Sequence, residues 1–172
     1  MVDENANELA HGALVVEEIP NQDAVSRLID FPHKYDDFRH LILDTAFVFT
    51  KSKGTGEYTG ESVNWSKYCA TAEAIHALGC AWQKAKRERK PDMRYVGYIA
   101  SGVADIRQVE SNRGHRFQVV HAPEDGQGLH HAEVRYLPNA VAGARFESID
   151  REELKLALRQ KFGDLVAHDC EE

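Results

Sequence analysis

The sequence predicts a single α+β domain, a mostly antiparallel sheet packed against one long central helix and a C-terminal helix. Three observations carry this expectation. Apolar residues from Tyr68 to Trp82 recur at intervals of three or four, the helical period. Arg94–Ala100, Arg116–Ala122 and Leu129–Leu137 have strand-like composition, the last two joined by Asp125-Gly126-Gln127-Gly128. Strands outside a strand–helix–strand rhythm, followed by a closing helix, favour α+β over a parallel α/β arrangement. The 172 residues suit one domain, and 42% apolar with 28% charged residues excludes a collagen-like fibre or a wholly disordered chain.

Taken in order, residues 1–12 are polar and acidic and read as a disordered tail, leaving 13–172 as the globular domain. Leu14-Val15-Val16 suits an edge strand. Asn21 and Asp23 are good N-caps for a short helix over Ala24–Ile29, and Phe31-Pro32 ends it because the residue before proline avoids helical angles. Leu41–Thr50 is rich in β-branched and aromatic residues and reads as strand; Lys51–Gly60, with three glycines, reads as a flexible loop. The long helix is expected from Asn64 or Trp65 to Arg89, closed by Pro91. Gly79 in its interior costs about 1 kcal/mol against Ala, and so marks a close packing contact or a break. Ser101–Glu110 fits no single element. The final helix is expected over Arg151–Phe162, with Asp150 as N-cap, Glu153 at the capping-box spacing and Gly163 just past the end.

The chain carries 21 Lys and Arg against 28 Asp and Glu, a net charge of −7, so on average it is repelled by nucleic acid and anionic membranes. The charge is uneven. Between Lys84 and Arg94 six cations face only Glu88 and Asp92. Lys86, Arg87, Arg89, Lys90 and Arg94 are therefore the candidate anion-binding residues, and this run is the place where nucleic acid would bind if it binds at all. No apolar run approaches the roughly 18 residues needed to span a bilayer, so no membrane partner is expected. The acidic N-terminus lacks the apolar core of a signal peptide. Cys69, Cys80 and Cys170 are odd in number and widely spaced, and the expectation is a cytoplasmic protein with free thiols.

His121, His131 and Glu133 are the candidate catalytic residues. On a strand His131 and Glu133 share a face, and an imidazole beside a carboxylate is the basic unit of acid–base chemistry near neutral pH. His131-Ala132-Glu133 resembles the H-x-E element of the zinc nucleobase deaminases, but the sequence has no C-x-x-C to complete that metal shell. Cys69, His76 and Cys80 share one face of a continuous helix, yet they fall short of the four ligands of a structural zinc site. No metal and no cofactor is expected. Ser62 follows a glycine-rich loop outside any nucleophile or phosphate-loop motif, and a helix N-cap at Ser62 or Asn64 accounts for that segment.

Two functions remain. One is a binding or accessory protein that engages a protein partner or a small anionic ligand. The other is a small metal-independent enzyme acting on a phosphodiester or nucleotide through His121, His131 and Glu133. They differ in whether those three residues converge in a concave pocket with a cation nearby.

Overall fold

The structure is a computed structural model that describes residues 14–124, 127–137, 143 and 145–171; the expected tail at 1–12 lies outside the described residues. The elements in chain order are β1 (Ala24–Phe31), β2 (Tyr35–Asp36), β3 (Leu41–Ile42), β4 (Glu61–Trp65), α1 (Ala72–Arg87), β5 (Arg94–Gly102), α2 (Val103–Arg107), β6 (Arg116–His121), β7 (His131–Leu137), α3 (Ser148–Lys161) and β8 (Val166–Ala167). Six strands form one sheet in the order β6-β7-β4-β1-β5-β8, and β2 pairs with β3 in a separate ribbon. Every pairing is antiparallel, so the expected α+β class with two packed helices is what the chain adopts.

Alternation along the strands assigns the two sheet faces. Val25, Ile29, Val63, Trp65, Ile99, Ala132, Val134 and Val119 lie on one face and join Leu154, Leu158 and Phe162 of α3 and Val103 and Ile106 of α2 in the main core. The opposite face carries Ser26, Leu28, Tyr98, Ser62, Asn64, His131 and Glu133, as the register requires. Here Leu28 and Tyr98 pack under Ile75 and Leu78 of α1 in a smaller cluster with Cys69.

A bulge lets β5 serve both sides. Ile29 pairs with Gly97 and Asp30 with Tyr95, so one residue of β5 is skipped. Tyr95 thereby turns toward α1, as Tyr98 does. Gly97 occupies the bulge at φ 142°, and a Cβ there would lie 2.2 Å from the carbonyl oxygen of Val166. The Tyr95 N–H is taken by the buried Gln83 side chain at 2.7 Å.

Several local expectations change. Ala24–Phe31 is the strand β1, buried on both faces, and not a helix. The Asp23 carboxylate that was to cap it accepts from Trp65 Nε1 at 2.7 Å. Asn64 and Trp65 belong to β4, where Val63 and Trp65 alternate into the core. The helix starts later, at the Thr71 cap whose hydroxyl accepts from the Ala74 N–H at 3.2 Å. Leu41–Thr50 is strand only at Leu41–Ile42. A single 3-10 turn follows over Asp44–Ala46, and Ala46 and Phe47 plug the core. The Val48 N–H donates to the Glu61 carboxylate at 2.8 Å in place of a ladder bond.

Leu14-Val15-Val16 is exposed chain outside any strand. The α3 N-cap is Glu147, and Asp150 closes the reciprocal capping box from the N3 position. The cysteines are not all free: Cys80 is joined to Cys170, 90 residues away, and Cys69 alone is a buried thiol. Among the described residues no helix is long and apolar enough to cross a membrane.

Candidate functional site

α1 covers the β1 and β5 side of the second sheet face and leaves β4 and β7 open beside it. Between them lies a cleft of about 570 Å³. Its helical wall is apolar, with Leu78, Ala81, Trp82 and Ala85; its sheet wall is polar, with Ser62, Asn64, His130 and His131. Gly60, Lys34, Glu61 and Arg27 also line it.

His131 is 4% exposed and held at both nitrogens. Nδ1 lies 2.5 Å from the Ala122 carbonyl oxygen, which can only accept, so Nδ1 carries a proton. Nε2 of that tautomer is left to accept from the Ser62 hydroxyl, 3.2 Å away. The register explains the pair: Asn64 is opposite His131 and Ser62 opposite Glu133, so all four side chains stand on one face. A hydroxyl donating to an imidazole whose far nitrogen is anchored is the arrangement of a nucleophile and its base. Ser62 was passed over in the sequence because it lies in no motif; the signal lies in the pairing of β4 with β7.

Glu133 is drawn to its own strand neighbour, accepting from Arg135 Nε at 2.6 Å. Gly60 passes beneath it: a Cβ there would stand 2.3 Å from Glu133 Oε2. Glu124, His131 and Glu133 each place one donor atom within 4.8 Å of the others. In this arrangement Arg135 holds Glu133, and Ser62 and Ala122 hold His131.

His121 is not part of this group. It pairs with Ala132, and therefore faces the core side of the sheet. There its Nδ1 accepts from the Glu17 N–H at 3.0 Å, its Nε2 donates to the Leu129 carbonyl at 2.7 Å, and its ring stacks on Tyr68. Both imidazoles are held at both nitrogens, but His131 borders the cleft and His121 does not.

The expected anion-binding run is likewise outside the cleft. Lys86, Arg89 and Lys90 are exposed around the C-terminal end of α1. Arg87 Nε reaches the Met93 carbonyl at 3.4 Å, and Arg94 pairs with Asp37 at 2.7 Å. Lys34 is a cation at the cleft that no motif announced, while the Arg27 guanidinium turns to the core side of the sheet, where its Nε donates to the Ala46 carbonyl at 3.0 Å. Arg27 forms a buried ion pair with Glu61 and donates to the Ser62 carbonyl at 2.6 Å. Burial pushes the Glu61 carboxyl above its ordinary range, with Arg27 pulling it back. Lys34 Nζ sits 2.6 Å from Asp30 Oδ1 and 5.1 Å over the Trp82 ring. Burial, then repulsion from Arg27, holds its ammonium below the usual lysine range, with Asp30 opposing them.

Lys34 and Asn64 bring N–H donors to this cleft. Lys34 has three N–H bonds, of which Asp30 takes one and the Leu28 carbonyl, at 3.5 Å, a second. Asn64 Nδ2 has a single long contact of 3.5 Å to the Ser26 carbonyl. Burial, and then the neighbouring His131, lowers the pKa of His130, so that imidazole borders the cleft uncharged at neutral pH. Comparison with known protein families, with curated proteins and with solved structures returns no match for this chain.

Proposed function

We propose that the protein binds a small, flat, acceptor-rich anionic molecule in the cleft between α1 and the β4–β7 face. One observation carries the reading: a cleft of about 570 Å³ with an apolar wall bearing the Trp82 ring and a polar wall of donors, with Lys34 lying over that ring. A ring system packs against the indole, and its anionic group meets the remaining Lys34 and Asn64 N–H donors. The volume is within the range of small-molecule sites.

The test uses 1-anilinonaphthalene-8-sulfonate, a flat aromatic sulfonate, titrated by fluorescence into folded protein. Ala81 is exposed and lines the cleft, so Ala81→Phe fills the site without crowding the core. Saturable binding at one probe per chain, weakened at least about tenfold by Ala81→Phe and less strongly by Lys34→Gln, is the expected result. Binding that ignores Ala81→Phe, with unchanged melting curves, refutes the proposal.

A second reading, acyl transfer, is favoured by the Ser62–His131 hydrogen bond alone. It is checked by labelling with a serine-directed fluorophosphonate: adduct at Ser62, lost in Ser62→Ala, supports it, and an unlabelled protein disposes of it. Phosphodiester chemistry through His121 and His131 is not favoured, since the two lie on opposite faces of the sheet, and the second imidazole at the cleft is His130.

A further inference from the structure

We propose that the reduced protein binds a zinc ion through Cys80, His168 and Cys170. This site is separate from the cleft and does not depend on its function. Cys80 comes from α1, and His168 and Cys170 from the segment that follows β8. Each of the three offers a donor atom within 4.8 Å of the others. All three are half-buried, which leaves a path for an ion.

Two thiolates and one imidazole form a borderline-soft donor set that suits tetrahedral zinc, with Zn–S near about 2.3 Å and Zn–N near about 2.0–2.1 Å. The backbone already brings the donors together. The Cα atoms of Cys80 and Cys170 are 5.6 Å apart, and the His168 N–H donates to the Val96 carbonyl at 3.0 Å, pinning the segment against β5. His76, one helical turn before Cys80, stacks its ring on that of His168 at 4.2 Å between centroids and is the neighbouring imidazole to the three donors. His76 Nδ1 is 3.0 Å from the Tyr95 hydroxyl, which leaves Nε2 as its unengaged nitrogen. Sequence spacing does not show the set, because its members are brought together only by the fold.

The disulfide and the metal are alternatives for the same sulfurs. A thiol or phosphine reductant supplies two electrons. The S–S bond breaks, two protons complete the thiols, and the reductant leaves as its disulfide or phosphine oxide. Zinc then displaces both thiol protons as the two Zn–S bonds form. Reduction thus converts a covalent tether between α1 and the C-terminal segment into a metal-held one.

The experiment compares oxidised and phosphine-reduced wild-type protein titrated with Co(II) and then Zn(II). The reduced protein should bind one Co(II) with a thiolate-to-metal charge-transfer band and tetrahedral d–d bands, and Zn(II) should bleach both. The oxidised protein should show neither, a control that needs no substitution. Cys170→Ser and His168→Ala, each verified as folded by circular dichroism, should weaken binding at least about 100-fold. A Co(II) complex without the thiolate band, equal binding by the oxidised protein, or full affinity in His168→Ala overturns the assignment.

Discussion

Gly79 sits in the interior of α1 facing the Tyr95 ring, and its replacement by alanine sets two effects against each other. In an open helix Gly→Ala stabilises by about 1 kcal/mol. Here the new Cβ would stand 2.4 Å from Tyr95 Cζ and 2.5 Å from both Cε atoms. Carbon–carbon contact is comfortable near about 3.5–4.0 Å, so ring and helix must separate by roughly 1 Å. Tyr95 has little room to yield. It is fully buried, its N–H is held by Gln83, and its hydroxyl lies 3.0 Å from His76 Nδ1. Overpacking of a rigid site costs about 1–3 kcal/mol or more and outweighs the propensity gain. Gly79→Ala should therefore lower stability by about 1–2 kcal/mol in urea unfolding. In a Tyr95→Leu background, where the ring is gone, the same substitution should become neutral or stabilising, a coupling that a double-mutant cycle reads directly. If Gly79→Ala stabilises the wild-type protein by the full helix propensity, the packing argument is refuted.

Other substitutions probe the rest of the account. His131→Ala should cost more than about 1 kcal/mol, because it empties the place of a buried side chain that is bonded at both nitrogens, whereas Glu133→Gln, facing the half-exposed Arg135, should cost under about 1 kcal/mol; equal effects in chemical denaturation would contradict this ordering. Replacing Cys80 and Cys170 together by serine removes a link spanning 90 residues, and chain entropy sets the loss at up to about 4–5 kcal/mol. Denaturation with a chelator and no reductant measures it, and an unchanged midpoint would show that the link does not form. Asp150 carries a pH dependence. Burial opposes its charge, but the Glu147 N–H, the Ser111 hydroxyl and Arg113 prevail and hold the carboxyl below its ordinary 3.8. A depressed folded-state pKa contributes stability above the unfolded pKa and loses it as pH falls through the folded one. The stability gap between wild type and Asp150→Asn should be full at pH 7 and shrink on acidification below about pH 4; a gap that widens in acid contradicts the sign.

The sequence disclosed the fold where one periodicity dominated. β6 and β7 alternate, β5 reads as strand from its aromatic and β-branched residues, and α1 and α3 carry apolar stripes, so the class was legible. β1 was not, because a central strand buried on both faces loses alternation, and Asn21 and Asp23 offered a false cap. The stretch from Phe47 to Thr50 misled for the opposite reason: Phe47 and Phe49 pack on the core from a loop, and Val48 stays exposed. At the site, His131 and Glu133 were legible as sharing a face. Ser62 became their neighbour only through the pairing of β4 with β7. Lys34 reaches the cleft from the loop after β1, far in sequence from the basic run that composition highlights. The Cys80–Cys170 link was invisible for the same reason, since its halves meet only when the segment after Gly163 returns along β5.

The central claim is that the cleft, and not the basic run at the end of α1, is where a ligand binds. Two-dimensional amide NMR of the protein titrated with small aromatic carboxylates and sulfonates tests it most directly. The account predicts saturable shifts clustered on Ser62, Asn64, His130, His131, Leu78 and Trp82. Shifts confined to Lys84–Arg94, or scattered without saturation, would contradict it.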